Sequence, residues 1–261
     1  MKFVSHMHST HSFDGKLALT EVHQMLRSHG IGAALMSEHI EELELADIRR
    51  FSEECRQVST PDCVLIPGIE MDELHILIFG IGEVDEYESV LDLAMQCHER
   101  GALIAISHPL KLRSELAPEV MQMVEAVEVW NQRYDGRVSP RWKSVELFRR
   151  LQVDFPGRQM AALSGLDFHS SSDFADIYME AEDCGPERES VLAAIRAGRH
   201  RIVRAGRAVE IAQTGKSSVK ARLLSKAATA VRDSSVFFYR KIKGSGIRVP
   251  NRIRIAVKKV L

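Results

Sequence analysis

The 261 residues carry 35 Lys and Arg against 36 Asp and Glu and are 45% apolar, and no apolar run approaches the roughly 20 residues that a membrane-spanning helix requires. A soluble globular protein of one large domain, or one domain with an appendage, is expected. Met1 to His6 has neither the apolar core of a signal peptide nor an Arg- and Ser-rich transit character, so a cytoplasmic location is expected too. Cys55, Cys63, Cys97 and Cys184 are widely spaced with no CxxC, which argues against a disulfide framework or a thiolate zinc site and for reduced, mostly buried thiols.

Short apolar or β-branched runs alternate with segments of helical period. Strands are predicted over Phe3 to Ser5, Ala33 to Ser37, Val64 to Ile69, His75 to Phe79, Leu103 to Ser107, Ala126 to Trp130, Ala161 to Ser164 and Ala208 to Ala212. Helices are predicted over Thr20 to Ser28, with Thr20 as N-cap, then Ile40 to Gln57, Tyr87 to Arg100, Pro118 to Val124, Pro140 to Leu151 and Glu187 to Ala197. This β/α rhythm points to a (β/α) barrel or a related parallel α/β fold. It stops near residue 214. Residues 215 to 261 hold 13 Lys and Arg and one acid, Asp233, leaving 22 bases and 35 acids before them, so an acidic body carries a basic extension. Val219, Leu223, Leu224, Ala227, Ala228 and Val231 recur at helical spacing there, predicting a basic amphipathic helix. Two units follow: a body over 1–214 and a basic, partly helical extension over 215–261.

Metal-ligating residue types fall at the predicted strand ends. His6 and His8 stand two apart at the end of the first strand, where a period of two puts both imidazoles on one side. Asp14 follows in a turn, His39 and Glu70 end the next strands, His75 follows closely, His108 ends another strand, and Asp167 and His169 end a late one. In a barrel these ends meet at one mouth. Six imidazoles and three carboxylates exceed the needs of one tetrahedral ion and suit two or three divalent ions of Zn, Mn or Fe. His23, His29, His98 and His200 have no such neighbours and are read as solvated, and His11 as facing the site from its edge.

The ordered motifs His6-Met7-His8, Ser12-Phe13-Asp14-Gly15, Ser37-Glu38-His39, Gly68-Ile69-Glu70 with His75, Ser107-His108-Pro109, Glu128-x-x-Asn131 and Ser164-Gly165-Leu166-Asp167-Phe168-His169 resemble those of the PHP (polymerase and histidinol phosphatase) superfamily across residues 1 to 200. The resemblance implies a distorted seven-stranded (β/α) barrel, a trinuclear metal site and phosphoester hydrolysis. It implies a first ion on His6, His8, Glu70 and Asp167, a second shared through Glu70 with His75 and His108, and a third on Asp14, His39 and His169. The chain departs from the family at Ser37-Glu38-His39, where Thr-Asp-His is usual, and at Ser164 to His169, where Ser-Asp-Ala-His is usual. Both departures spare the ligand positions and bear on the hydrogen bonds around them.

Two ions sharing Glu70 would hold a bridging hydroxide as nucleophile, with Lys111, Arg113 and Arg133 as candidate phosphate clamps and Asp167 or His169 protonating the leaving alkoxide. The expected substrate is a nucleotide or other small phosphomonoester. An exonuclease that trims short RNA or DNA ends is the alternative, its basic extension holding the strand. The extension is also open to contact with a membrane surface or a partner protein, or to packing on the body, and a non-catalytic, metal-stabilised binding domain is a reading of another class.

Overall fold

The computed structural model describes residues 1–111, 116–135 and 138–209, together with Ile211, Ala230 and Ser234. Arg113, the boundary near residue 214 and the amphipathic helix of the extension therefore lie outside the described residues. In chain order the elements are β1 (Lys2–Met7), α1 (Leu19–Ser28), β2 (Ala33–Met36), β3 (Glu38–His39), α2 (Leu45–Val58), β4 (Val64–Ile66), β5 (Gly68–Met71), β6 (Ile76–Phe79), α3 (Val90–Glu99), β7 (Leu103–Ile106), α4 (Pro118–Met123), β8 (Val124–Asn131), α5 (Gln132–Asp135), α6 (Trp142–Asp154), β9 (Ala161–Phe168), β10 (Ile177–Ala181), α7 (Arg188–Arg196), β11 (His200–Arg204) and β12 (Arg207–Val209). None of the described helices is long and apolar enough to cross a membrane.

Local chemistry sets the helix boundaries. Helix α1 begins at Leu19, one residue before the expected start, and Ala18 rather than Thr20 is its N-cap; the Glu21 carboxylate accepts the Ala18 N–H at 2.9 Å. Its buried residues Leu19, Val22, His23 and Leu26 recur at helical spacing, and Leu19, Val22 and Leu26 join the hydrophobic core. The segment expected as one helix from Ile40 divides into a single 3-10 turn (Ile40–Glu42) and α2. Helix α3 is capped by Ser89, whose hydroxyl accepts the Asp92 N–H at 3.1 Å.

The twelve strands form one mixed sheet, in the order β12-β11-β10-β1-β9-β8-β7-β6-β5-β3, with β2 paired to β1 and to β4. The α/β class is as expected, whereas the distorted seven-stranded (β/α) barrel is not borne out as a closed ring: among the described residues, hydrogen bonding does not run continuously around one. The strands expected over 33–37 and 64–69 are each interrupted, at Ser37 and at Pro67. Pro67 has no N–H to donate to a ladder, and the Ser37 N–H donates instead to Met7 O of β1 at 2.8 Å. Strand β6 is antiparallel to both β5 and β7, so the β/α alternation fails there as well. Strands β10 and β11, absent from the sequence expectation, add an antiparallel ribbon with β12 along the N-terminal half of β1. The parallel set β9, β8 and β7 joins the C-terminal half of the same edge of β1, β2 taking the opposite edge.

The core lies between sheet and helices and includes the fully buried Trp130, Phe3, Phe51, Phe79 and Phe148, each large aromatic or aliphatic side chain contributing roughly 1.5–3 kcal/mol of transfer free energy. Cys55, Cys63 and Cys97 are buried and Cys184 half-buried, and all four are free thiols. His23 and His200, expected as solvated, are buried instead: His23 Nε2 meets Thr60 Oγ1 at 3.1 Å and Cys63 O at 3.2 Å, and His200 Nε2 meets Ala162 O at 2.8 Å. Their apolar ring edges fill the core while a nitrogen keeps a hydrogen bond.

Candidate metal centre

Residues of one chemistry gather where β1, β3, β5, β7, β8 and β9 end. His6, His108 and Asp167 all have left-handed backbones, with φ of 60°, 38° and 50°, a region L-residues rarely adopt and that costs on the order of 1–3 kcal/mol per residue. At His6 the ladders of β1 with both β2 and β9 shift register between Ser5 and Met7. This bulge, and not a regular period of two, is what lets His6 and His8 both reach the site, their ring centroids 5.2 Å apart. A second register shift, between Glu128 and Trp130 of β8, accompanies the inward Glu128 carboxylate. Gly165 of β9 makes room for it: a Cβ there would stand 1.7 Å from Glu128 Oε1 and 2.9 Å from His6 Cβ.

Glu70, 1% exposed, is the hub. Its Oε2 lies 3.1 Å from His6 Nε2, 3.4 Å from His8 Nε2 and 3.6 Å from His39 Nδ1, and its Oε1 lies 2.8 Å from His108 Nε2 without forming an aligned hydrogen bond. On the far side of these rings, partners fix which nitrogen turns inward. Glu128 Oε1 accepts His6 Nδ1–H at 2.7 Å. Ser12 Oγ donates to Glu38 Oε2 at 2.5 Å and accepts the His39 N–H at 3.0 Å, and at 3.3 Å it faces His8 Nδ1. The Nε2 atoms of His6 and His8 are thus left to face Glu70. His8 Nε2 and Asp14 Oδ1 are buried and have no hydrogen-bond partner, an expensive arrangement for polar atoms unless something else binds them. Asp14 Oδ2 reaches His169 Nε2 at 2.8 Å and Asp14 Oδ1 lies 3.7 Å from His39 Nε2.

Asn131, at the end of β8, ties the carboxylates together. Its Oδ1 accepts the N–H groups of Arg133 and Tyr134 at 3.0 and 3.1 Å, which turns Nδ2 toward Glu128 Oε2 at 3.0 Å, Asp167 Oδ2 at 3.2 Å and His108 Nδ1 at 2.9 Å. Arg133, half exposed, brings Nη1 to 2.7 Å from His169 Nδ1 and 3.5 Å from Asp167 Oδ1.

The electrostatics follow from burying several carboxylates together. Burial opposes the charge of Glu70, but His6 and His108 outweigh it and hold the carboxyl well below its usual range. Burial likewise opposes the charge of Glu128, and His6 and His108 bring it down to about 2. His6 and His108 show the reciprocal effect: against burial, the carboxylates raise His6 well above its ordinary value and His108 to about 9. His8 is pushed well below its usual value by burial and the neighbouring His6, and His169 is lowered by burial and by Arg133. Ionised carboxylates and neutral imidazoles are the ligating forms, and the protons on His6 and His108 supply the positive charge a cation would bring.

Four overlapping donor groups each place their ligand atoms within 4.8 Å of one another: His8, His39 and His169; His6, His8 and Asp167; His6, His108 and Glu128; and Glu70, Asp72 and His108. The donor set thus fits divalent ions. Of the residues singled out from sequence, His6, His8, Asp14, His39, Glu70, His108, Asp167 and His169 come together here, with Arg133 at the edge and Lys111 nearby. His75 belongs to none of the four groups, and Arg113 lies outside the described residues. Glu128 and Asn131 were visible only as a motif without a role, and Asp72 carried no sequence signal. His11 is drawn away from the centre by Glu54, its Nε2 2.9 Å from Glu54 Oε2.

No family model matches the chain, and no curated protein matches it in sequence. Solved structures do match in fold. A two-domain protein from Bacteroides vulgatus, described as containing a predicted PHP-like metal-dependent phosphoesterase, superimposes with a TM-score of 0.55 at 17% identity over 78% of this chain; the chain spans 64% of that structure's length. PsfC from Pseudomonas syringae superimposes with a TM-score of 0.50 at 11% identity, covering 87% of this chain and 98% of PsfC. The motif resemblance therefore has a counterpart in three dimensions: the chain shares the fold of a structure described as PHP-like.

Proposed function

We propose that the protein is a metal-dependent phosphoesterase that hydrolyses a phosphomonoester of a nucleotide or another small molecule at a centre of two or three divalent ions. The observation that carries the reading is the set of four interlocking donor groups around Glu70, with His8 Nε2 buried and unpartnered inside it. The fold similarity to a PHP-like phosphoesterase supports the reaction class.

Bound divalent ions would supply Lewis-acid charge to the phosphoryl oxygens and lower the pKa of water near them. The ligand candidates are His6, His8, Glu70 and Asp167 at the centre, Asp14, His39 and His169 on one side, and His108 on the other. The chain's own residues do the rest. Arg133 presents a half-exposed guanidinium beside Asp167 and His169, where its fork matches phosphoryl oxygens. Asn131 holds Asp167 and Glu128 in place by donating from one amide nitrogen, and Asp167 or His169 would take the proton of the attacking water and return it to the leaving alkoxide. A cavity of about 170 Å³ opens beside His108, lined by Lys111, Tyr134, Arg141 and Ser144 among others, with Lys111 Nζ 4.1 Å above the Tyr134 ring.

One observation favours the nuclease alternative, the 13 bases against one acid over 215–261, a charge that would bind a phosphate backbone. Both readings are tested by incubating the manganese-loaded protein with nucleoside monophosphates and, in parallel, with an internally labelled, 5′-phosphorylated RNA. Free phosphate from the small esters with the RNA strand intact, lost in Asp167→Ala, is the expected result. Mononucleotides from the RNA would establish the nuclease instead, and hydrolysis undiminished in Asp167→Ala would overturn the assignment of the centre.

A further inference from the structure

The donor groups of the cluster differ in chemistry. His8, His39 and His169 offer three imidazoles, all buried. At the opposite side, Glu70, Asp72 and His108 offer two carboxylates and one imidazole, with Asp72 exposed and the other two buried. Glu70 is 1% exposed, and its Oε1, which has no aligned hydrogen bond, lies 2.8 Å from His108 Nε2. Asp72 is held in the turn between β5 and β6: its N–H donates to Glu41 Oε1 at 2.9 Å and its carbonyl accepts the His75 N–H at 3.3 Å.

The geometry points to a second class of ion site in this chain, formed by Glu70, Asp72 and His108, which takes a hard and exchangeable divalent ion such as Mn²⁺. Asp72 is its third protein ligand, in the place that the sequence offered to His75. The inference rests on reading the cluster as a metal centre and adds a ligand and a metal preference to it. Carboxylate oxygens suit a hard ion such as Mn²⁺, whereas the three-imidazole group suits Zn²⁺. A ligand on an exposed turn gives the ion a path to solvent, so this site exchanges while the buried imidazole site retains its metal.

The test uses the full chain carrying its tightly held metal, freed of loose ions by gel filtration and then titrated with Mn²⁺, free Mn²⁺ being read by electron paramagnetic resonance and total metal by mass spectrometry. Wild type and His75→Ala bind one exchangeable Mn²⁺ per chain, and Asp72→Asn weakens that binding by about tenfold or more, while its tightly held metal and its far-ultraviolet circular dichroism stay unchanged. Equal Mn²⁺ affinity in Asp72→Asn and wild type, loss of the exchangeable ion in His75→Ala, or no exchangeable Mn²⁺ in wild type would overturn it. Failure of the underlying reading is distinguishable, because wild type would then hold no tightly bound metal either.

Discussion

At the scale of single residues, the site is set by a few side chains that permit no substitute. Gly165 has no side chain because the Glu128 carboxylate occupies that space, so Gly165→Ala should push Glu128 off the His6 Nδ1–H and lower metal affinity by about 10- to 100-fold, with a stability loss on the order of 1–3 kcal/mol from overpacking; metal analysis and thermal melts check the two effects separately. Protons compete with metal at the same place. Carboxylates raise His6 well above its ordinary value and His108 to about 9, so below about 9 an incoming ion must displace the His108 proton, and the raised His6 opposes binding in the same direction. Divalent-ion affinity should rise with pH up to about 9, with protons released on binding; calorimetry in buffers of different ionisation enthalpy measures this, and a pH-independent affinity would contradict it. The spacing of His6 and His8 was legible in the sequence because both are ligating types two apart near a strand end. The bulge that aims them was not, since a register shift is decided by the neighbouring strands β2 and β9. Asp72 was invisible for a plainer reason: an exposed Asp after an apolar strand reads as an ordinary turn residue.

At the scale of elements, the loop after β1 is fastened to β3 by one buried carboxylate. Glu38 accepts the Ser9 N–H at 2.9 and 3.1 Å, the Ser9 hydroxyl at 2.7 Å and the Ser12 hydroxyl at 2.5 Å, and burial raises its pKa despite those bonds. Glu38→Ala would leave these buried donors unsatisfied, at about 1–3 kcal/mol each, and would loosen Ser12 from His8 Nδ1. A lowered melting temperature together with weaker metal binding is expected from differential scanning calorimetry with and without Mn²⁺. Most helices were legible from apolar spacing, as in Leu19, Val22 and Leu26 of α1, and their ends shifted by a residue or a few. The strands were harder. Ile177–Ala181 pairs with β1 and β11, and His200–Arg204 with β10 and β12, and no clear alternation of period two announces either. Pro67 and Ser37 break what reads as two continuous apolar strands.

At the scale of the whole molecule, the sequence resemblance and the fold lead to the same side of one sheet, where strand ends far apart in the chain bring imidazoles and carboxylates together around Glu70. The charge split between the acidic body and the basic extension is legible in sequence alone. The central claim is that the buried cluster is a multinuclear metal centre. The measurement that tests it most directly is the metal content of the manganese- and zinc-reconstituted protein, determined by inductively coupled plasma mass spectrometry alongside His8→Ala. Two or three divalent ions per chain in wild type, falling in His8→Ala with the fold intact, is the predicted result; a wild-type chain that retains no ion, or a His8→Ala variant that retains the full complement, would contradict it.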